Sequence, residues 1–156
     1  MQVYLAGAME HAPDGGCGWR EELSHFLTGE LRHRVFNPCV EEHRVLTPEE
    51  QRHLREWKTS DPARFRQTVR KLIEFDIHHL LNHTDYIICL WDQYVLNGGG
   101  THGELTMAYH HRIPVYMVHH LQRPQISSWI IGCTSEMFED FSLLKDFLKT
   151  RYGEDV

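Results

Sequence analysis

Two carboxylate side chains of this sequence, those of Glu104 and Asp76, occupy positions that suit catalysis. Glu104 follows the glycines of the stretch GGGTHGELTMAYHHRIPV, at the start of a predicted helix, and Asp76 lies in the helical segment before the preceding strand. Carboxylates from neighbouring elements suit glycosyl chemistry, in which one attacks or stabilises an oxocarbenium-like centre and the other handles protons. The alternative is structural, because Thr101 and Glu104 have the T-x-x-E spacing of a capping box at a helix start.

The elements that must position these carboxylates follow from the apolar periodicity. Short apolar runs predict β-strands at 3–7, 34–37, 86–91, 114–118 and 136–138. Apolar residues at helical spacing predict helices at 19–31, 63–83, 101–111, 125–131 and 141–152. Strands that alternate with helices predict an α/β protein with a flavodoxin/Rossmann-like, doubly wound, parallel five-stranded sheet and helices on both faces.

A single domain is expected for residues 1–156, because a chain of this length can bury a core of its own. The stretch at about 41–65 is strongly charged, and it contains two typical helix starts, Thr47-Pro48 and Asp61-Pro62. We therefore expect a charged helical insertion of short surface helices in this stretch.

The composition limits the partners and the compartment. A formal net charge of −6 argues against nucleic acid as a partner, because that binding rests on clustered lysine and arginine. The N-terminus has no basic region, and no apolar run approaches the ~18–20 residues that cross a bilayer. The four cysteines are scattered, which favours reduced thiols. We expect a cytoplasmic protein that binds no membrane.

The histidines raise the hypothesis of a metal site. His79 and His83 have the i, i+4 spacing that can bind zinc, but no H-E-x-x-H motif accompanies them. Solvated or capping histidines are the favoured interpretation, so neither a metal nor another cofactor is predicted. A metal-dependent hydrolase is the minor alternative.

The ligand edge of the sheet can be placed from the order of the elements. In a sheet of this type, ligands bind outside the carboxyl ends of the strands, near the point where the strand order reverses. The favoured ligand loops are therefore those at 7–19, around Asn37 and at 91–104. Gly99 and Gly100 allow a ligand to approach the backbone closely.

Five pieces of the sequence together carry a family resemblance. They are VYLAGAM, the acidic helix containing Asp76, DYIICLW, GGGTHGELTMAYHHRIPV and ISSWIIG. In this order they resemble the nucleoside 2-deoxyribosyltransferase family and its nucleotide N-glycosidase relatives, which include the CMP and hydroxymethyl-dUMP hydrolases. The resemblance covers most of the chain outside 41–65, and the GTHGE portion is similar to the CMP hydrolases in particular.

The resemblance implies the roles of the catalytic residues. Glu104 matches the glutamate that attacks or stabilises the anomeric carbon while the nucleobase leaves, and Asp76 matches the aspartate that assists at the sugar hydroxyls and the departing base. Tyr4 matches the strand-one tyrosine near the active site. The implied function is cleavage of the N-glycosidic bond of a nucleoside or nucleoside 5′-monophosphate, by hydrolysis or by transfer of the (deoxy)ribosyl group to another base. A non-catalytic nucleotide-binding or sensing module is the alternative.

The resemblance also implies how the substrate is held. Ser127, Ser128 and Trp129 match positions at which a neighbouring subunit completes the site, so a homo-oligomer, most simply a dimer, is expected. Further substrate contacts are expected from the loops, at Gly7, Met9, Gly98, Gly99, Gly100 and Thr101.

Three residues near Glu104 each have two interpretations. Trp91 could stack on a nucleobase or pack against a helix. Asp92 could be a hydrogen-bond partner of the base or a turn residue. His102 could contact a base or a phosphate, or it could lie at the surface.

The sequence departs from the family where a 5′-phosphate would be held. Ala8 and Glu10 stand where the nucleotide hydrolases have a serine and an arginine, and Gly98 replaces a serine six residues before the catalytic glutamate. Arg20 could compensate together with the serines at 127 and 128, because the guanidinium fork suits phosphate.

Overall fold

The computed structural model describes residues 1–153, and a single parallel sheet of five strands lies at its centre. The strands β1 to β5 are Gln2–Gly7, Arg34–Phe36, Tyr86–Trp91, Val115–His119 and Glu136–Phe138. Their order in the sheet is β2-β1-β3-β4-β5, and each neighbouring pair is parallel. The predicted doubly wound α/β fold is confirmed.

Helices cover both faces of the sheet. In chain order, α1 to α7 are Cys17–Gly29, Pro38–Val45, Pro48–Ser60, Pro62–His83, Gly100–His110, Ser128–Cys133 and Phe141–Tyr152. Alternate residues of a strand point to opposite faces, so the sheet feeds two cores. One core packs against α4, α5 and α6, and the other packs against α1 and α7. Within residues 1–153, no helix is both long enough and apolar enough to span a bilayer.

The strand order reverses between β1 and β3. The chain leaves β1 toward β2 on one side and then returns across β1 to build β3, β4 and β5 on the other side. In open α/β sheets the loops that follow the two strands at such a point diverge and leave a crevice at their carboxyl ends. The crevice in this protein lies between the loop after Gly7 and the loop after Trp91.

The charged stretch after β2 folds into helices whose starts the sequence specified. The Asn37 side chain accepts a hydrogen bond from the N–H of Cys39 and caps α2. Thr47 and Glu50 form a reciprocal capping box at the start of α3, and Asp61 caps α4. Each of the three helices has proline in its first turn, where its missing N–H costs nothing. Whether this stretch is an insertion relative to other proteins stays a prediction.

One predicted helix differs from the structure. The segment 125–131 was expected to be continuous, but the chain forms a 3-10 turn at Arg123–Gln125 and then the separate helix α6. Ile126 lies between them in an extended conformation with its side chain buried. Burial of this side chain fixes the break, since a continuous helix would move it out of the core.

Replacement of Thr47 by alanine tests the capping box of α3. The Thr47 hydroxyl accepts a hydrogen bond of 3.2 Å from the Glu50 N–H, and alanine removes it. We expect the free energy of unfolding to fall by about 1 kcal/mol, the usual cost of losing such a cap. Urea unfolding monitored by circular dichroism measures this change. The control is Thr150→Ala, which removes an exposed hydroxyl that donates to the Asp146 carbonyl oxygen within α7; an equal loss in both variants would contradict a capping role.

Candidate active site

A cavity of about 230 Å³ opens in the crevice at the carboxyl ends of β1 and β3. Both loops at the strand-order reversal contribute to it, and so do α2, α3 and α4. Nine residues that the sequence singled out line this cavity: Gly7, Met9, Arg20, Asp76, Gly98, Gly99, Gly100, Thr101 and Glu104. Residues more than 90 positions apart along the chain therefore meet in one place.

Glu104 lies one turn into α5, and its carboxylate faces β1. The Tyr4 hydroxyl donates a hydrogen bond of 2.6 Å to Glu104 Oε1. The capping box expected as the structural alternative does not form, because α5 starts at Gly100 with Gly99 as its N-cap and no side chain caps it. Thr101 is buried within the helix instead. The Glu104 carboxylate is therefore not used to cap its own helix.

The net effect of the surroundings of Glu104 is to raise its pKa above the usual range, with burial as the largest cause. Burial raises the pKa of Glu104, whereas the hydrogen bond from Tyr4 and the positive charge of Arg20 lower it. Tyr4 itself is fully buried, and its ring stacks on Phe36 with 4.9 Å between the centroids. Burial, together with the charges of Glu104 and Asp76, raises the pKa of Tyr4 well above its usual range. Tyr4 thus stays protonated and remains a donor.

Asp76 enters the same cavity from α4. Burial raises the pKa of Asp76 to about 7, and the negative charges of Glu104 and Glu42 act in the same direction. Two carboxyl groups that share a site resist ionising together, so the pair retains one proton to higher pH than either group would alone. Tyr4 donates to Glu104, so the proton favours Asp76. The cavity thus holds Glu104, which accepts from Tyr4, beside an Asp76 whose pKa of about 7 lets it give or take a proton near neutral pH.

Arg20 supports the loop that follows β1. Its buried guanidinium donates hydrogen bonds to four backbone carbonyl oxygens, at distances of 3.3, 2.8, 3.2 and 2.6 Å; these belong to Leu5, Gly7, Ala8 and Gly16. A guanidinium has five N–H groups, so one remains for a ligand. The phosphate contact that the sequence assigned to Arg20 can rest on that group alone.

Gly16 completes this loop and requires glycine. Its φ of +76° lies in the left-handed region, which side chains with a Cβ adopt at a cost. A Cβ at this position would also collide with the Ala8 carbonyl oxygen and with the Arg20 guanidinium. The loop geometry and the buried arginine therefore depend on one another.

Three of the sequence-derived candidates do not reach the cavity lining. Trp91 is fully buried in the core on the α4, α5 and α6 side. His102 packs edge-on against Trp91, with 4.9 Å between the ring centroids. Asp92 accepts hydrogen bonds from the N–H groups of Tyr94 and Val95 and so fixes the turn after β3. For Trp91 and Asp92 the structure displays the packing and turn contacts that the sequence allowed, whereas for His102 it displays a packing contact that neither interpretation named.

The start of α6 lies outside the cavity lining as well. Ser127 and Ser128 begin this helix, and Trp129 is 69% exposed. The Trp129 indole N–H donates to the Thr106 hydroxyl on α5 at 3.0 Å. A large aromatic side chain is thus held at the surface in a defined orientation.

The structure adds lining residues that the sequence did not assign to the site. They are His11, Pro38, Glu42, Arg55, Leu72 and Val95. Glu42 and Arg55 come from the charged stretch that was predicted to be a surface insertion. Charge alone could not locate them, because most charged side chains in short helices face solvent.

The histidines of α4 pack against aromatic rings. His79 stacks on Phe36 and contacts Phe75, and its Nδ1 lies 3.0 Å from the Phe75 carbonyl oxygen. Over the described residues, no group of three or more potential ligand side chains is arranged to hold a metal ion.

Comparison with known proteins assigns a fold class. A scan against protein-family models and a search of curated proteins found no match. The sheet order, with the cavity at its reversal, defines a flavodoxin-like doubly wound α/β protein. A solved structure of a 2-deoxyribosyltransferase from the psychrotolerant bacterium Bacillus psychrosaccharolyticus is similar, with a TM-score of 0.67, 18% sequence identity, and coverage of 94% of this chain and 91% of that chain. The resemblance read from the motifs is thereby confirmed at the level of the fold.

The raised pKa of Asp76 predicts that Asp76→Asn stabilises the protein at alkaline pH. A folded-state pKa of about 7 lies above the ordinary value of 3.8. Between these values the folded state binds more protons than the unfolded state, so the contribution of Asp76 to stability is lost as pH rises. Asparagine does not ionise and so avoids this loss. We expect the free energy of unfolding of Asp76→Asn to exceed that of the wild type by on the order of 3 kcal/mol at pH 8.

Urea unfolding at pH 5 and pH 8 measures this gain. It should be much smaller at pH 5, because Asp76 is then protonated in the folded protein. Glu74→Gln, two residues away on the exposed side of α4, should change stability little at either pH. A gain that does not depend on pH would contradict the shifted pKa of Asp76.

Proposed function

We propose that this protein is an enzyme that cleaves the N-glycosidic bond of a nucleoside or nucleoside 5′-monophosphate. The observation that supports it most is the pair of carboxyl groups in one cavity: Glu104, held by Tyr4, and Asp76, whose pKa is raised to about 7. Neighbouring groups with different proton affinities are the arrangement that acid-base catalysis requires. The structural neighbour is a 2-deoxyribosyltransferase, which is consistent with the proposal.

In the proposed first step, the ionised Glu104 faces the anomeric carbon of the sugar. The C–N bond breaks, its electron pair passes to the nucleobase nitrogen, and Asp76 donates its proton to the departing base. Glu104 either bonds to the anomeric carbon or stabilises its positive charge. The hydrogen bond from Tyr4 favours the ionised form of Glu104 against the effect of burial and fixes one of its oxygens, so the other oxygen would face the sugar.

In the proposed second step, an acceptor attacks the same carbon. Asp76, now ionised, takes a proton from water or from a second nucleobase as the new bond forms, and Glu104 is released. The same two carboxyl groups serve hydrolysis and transfer, so the acceptor that enters the cavity decides the product.

Release of a free base tests the proposal. The pure protein is incubated with a panel of nucleosides and nucleoside 5′-monophosphates, and the products are separated by chromatography. We expect Glu104→Gln to reduce base release by about a thousandfold or more, the range found when a catalytic side chain is removed. Glu74→Gln on the exposed face of α4 is the control and should retain activity.

The panel also distinguishes the alternative, a nucleotide-binding module without catalysis. If ligands raise the melting temperature and no base is released, the enzyme proposal is wrong. A second free base in the same assay separates the two reactions, since a transferase would form a new nucleoside and a hydrolase would form only free sugar or sugar phosphate.

A homo-oligomer is proposed from the surface at α6. Trp129 is 69% exposed and Tyr109, on the adjacent helix α5, is 64% exposed. Tryptophan and tyrosine are the side chains that most often anchor protein interfaces. Together with the implied neighbour contacts at Ser127 and Ser128, this surface supports a dimer in which each subunit contributes to its partner's site.

Trp129→Ala should therefore shift a dimer toward monomer. Analytical ultracentrifugation over a range of concentrations measures the dissociation constant, and we expect it to rise by about tenfold or more. Leu143→Ala is the control, because Leu143 is 50% exposed on α7. A wild-type protein that is monomeric and fully active would contradict the proposed subunit contact.

A further inference from the structure

Helix α3 brings two cations to Glu10 at the edge of the cavity, and the proposed catalytic step uses neither of them. Arg55 Nη1 lies 3.2 Å from Glu10 Oε2, and Lys58 Nζ lies 2.7 Å from Glu10 Oε1. Arg55 and Glu10 line the same cavity as Asp76 and Glu104. In the cluster, defined as Glu10, Arg55 and Lys58, the first two residues therefore line the cavity, and Lys58 is joined to it through Glu10.

The cluster carries excess positive charge. One carboxylate faces two permanent cations, and the nearby His11 adds a third charge when it is protonated. The hydrogen bond from Lys58 and the charges of Arg55, Lys58 and His11 hold the pKa of Glu10 below its usual range. Glu10 thus cannot cancel the charge around it, and its two oxygens mark positions that the oxygens of another anion could take.

The cations are also free to respond to a ligand. The side chains of Arg55 and Lys58 are 58% and 50% exposed, and that of Glu10 is 34% exposed. Ion pairs with this exposure contribute little to stability, because water already solvates the charges. Rearrangement of the cluster around a second anion would therefore cost little.

The other residues at this end of the cavity offer little to an anion. Four N–H groups of Arg20 already donate hydrogen bonds to backbone carbonyl oxygens. Ala8 and Gly98 have no side-chain donor. Glu42 and Glu104 carry carboxylate groups that would repel an anion placed beside them. Arg55, in contrast, is held by an ion pair with Glu10 and not by backbone carbonyls, and Lys58 lies near it on the same helix.

We propose that Arg55 and Lys58 form an anion subsite that binds the 5′-phosphate of a nucleoside 5′-monophosphate, with the Glu10 carboxylate displaced from them when substrate enters. This inference rests on the proposed function and narrows its substrate class. Arginine would bind two phosphate oxygens with its planar fork, and lysine would add a point charge. The Glu10 carboxylate would compete with weakly bound anions for Arg55 and Lys58. The subsite would therefore favour an anionic ligand that other parts of the cavity also bind.

The test compares a nucleoside with its own 5′-monophosphate. In the wild type we expect kcat/KM to be higher for the monophosphate. In the double variant Arg55→Gln and Lys58→Gln, we expect kcat/KM for the monophosphate to fall by about tenfold or more, because charge-assisted hydrogen bonds are lost. We expect kcat/KM for the nucleoside to fall by less than about twofold. Arg52→Gln is the matched control, since Arg52 is exposed on the same helix and should leave both substrates unchanged.

Glu10→Gln should act in the opposite direction. It removes the competing carboxylate, so KM for the monophosphate should fall. An increase in KM would contradict displacement of Glu10 by phosphate. If the double variant lowers kcat/KM equally for both substrates, or for neither, the proposed anion subsite is wrong and the proposed function still stands.

A failure of the proposed function would have a different signature. If no base is released from either substrate, isothermal calorimetry of the wild type with the monophosphate and the nucleoside tests the subsite by itself. Tighter binding of the monophosphate that the double variant abolishes would support the anion subsite without catalysis. Equal binding of both ligands would overturn it.

Discussion

The hydrogen bond from the Tyr4 hydroxyl to Glu104 joins the central strand β1 to the first turns of α5, and the character of the cavity depends on it. Burial alone would drive both carboxyl groups toward their neutral forms. A donor on Glu104 makes the two groups unequal, so the ionised form is favoured on Glu104 and the proton on Asp76. One buried tyrosine, held by its stacking on Phe36, thus makes two similar side chains differ in their affinity for a proton.

The site also needs a rigid loop beside its two acidic groups, and Arg20 holds that loop in place. Its buried guanidinium satisfies carbonyl oxygens on both sides of the turn after β1, and its charge lowers the pKa of both carboxyl groups. A buried cation needs nearby acceptors or anions to offset its lost hydration, and this loop supplies them. Four of the five N–H groups of this arginine therefore stabilise the backbone, which leaves one for any other partner.

The sequence predicted the scaffold well where a periodic pattern was long or a stop signal was strong. The buried strand YIICLW and the helix starts at Pro48 and Pro62 lie where they were expected. The segment 125–131 was predicted wrongly, because burial of Ile126 in an extended conformation overrode local helical spacing. The assignment of Trp91 stayed open, since an aromatic residue at the end of a buried strand can face either the ligand loop or the core.

By itself, the sequence predicted the order of the elements, the edge of the sheet at which the cavity opens, and two carboxylates that line it. It could do so because apolar period and capping chemistry act over a few neighbouring residues. Only the tertiary structure decided which side chains meet there: Tyr4 on Glu104, Arg20 on the loop, and Arg55 and Lys58 on Glu10. These contacts join distant positions, and their geometry depends on how helices cross the sheet, which no local pattern encodes.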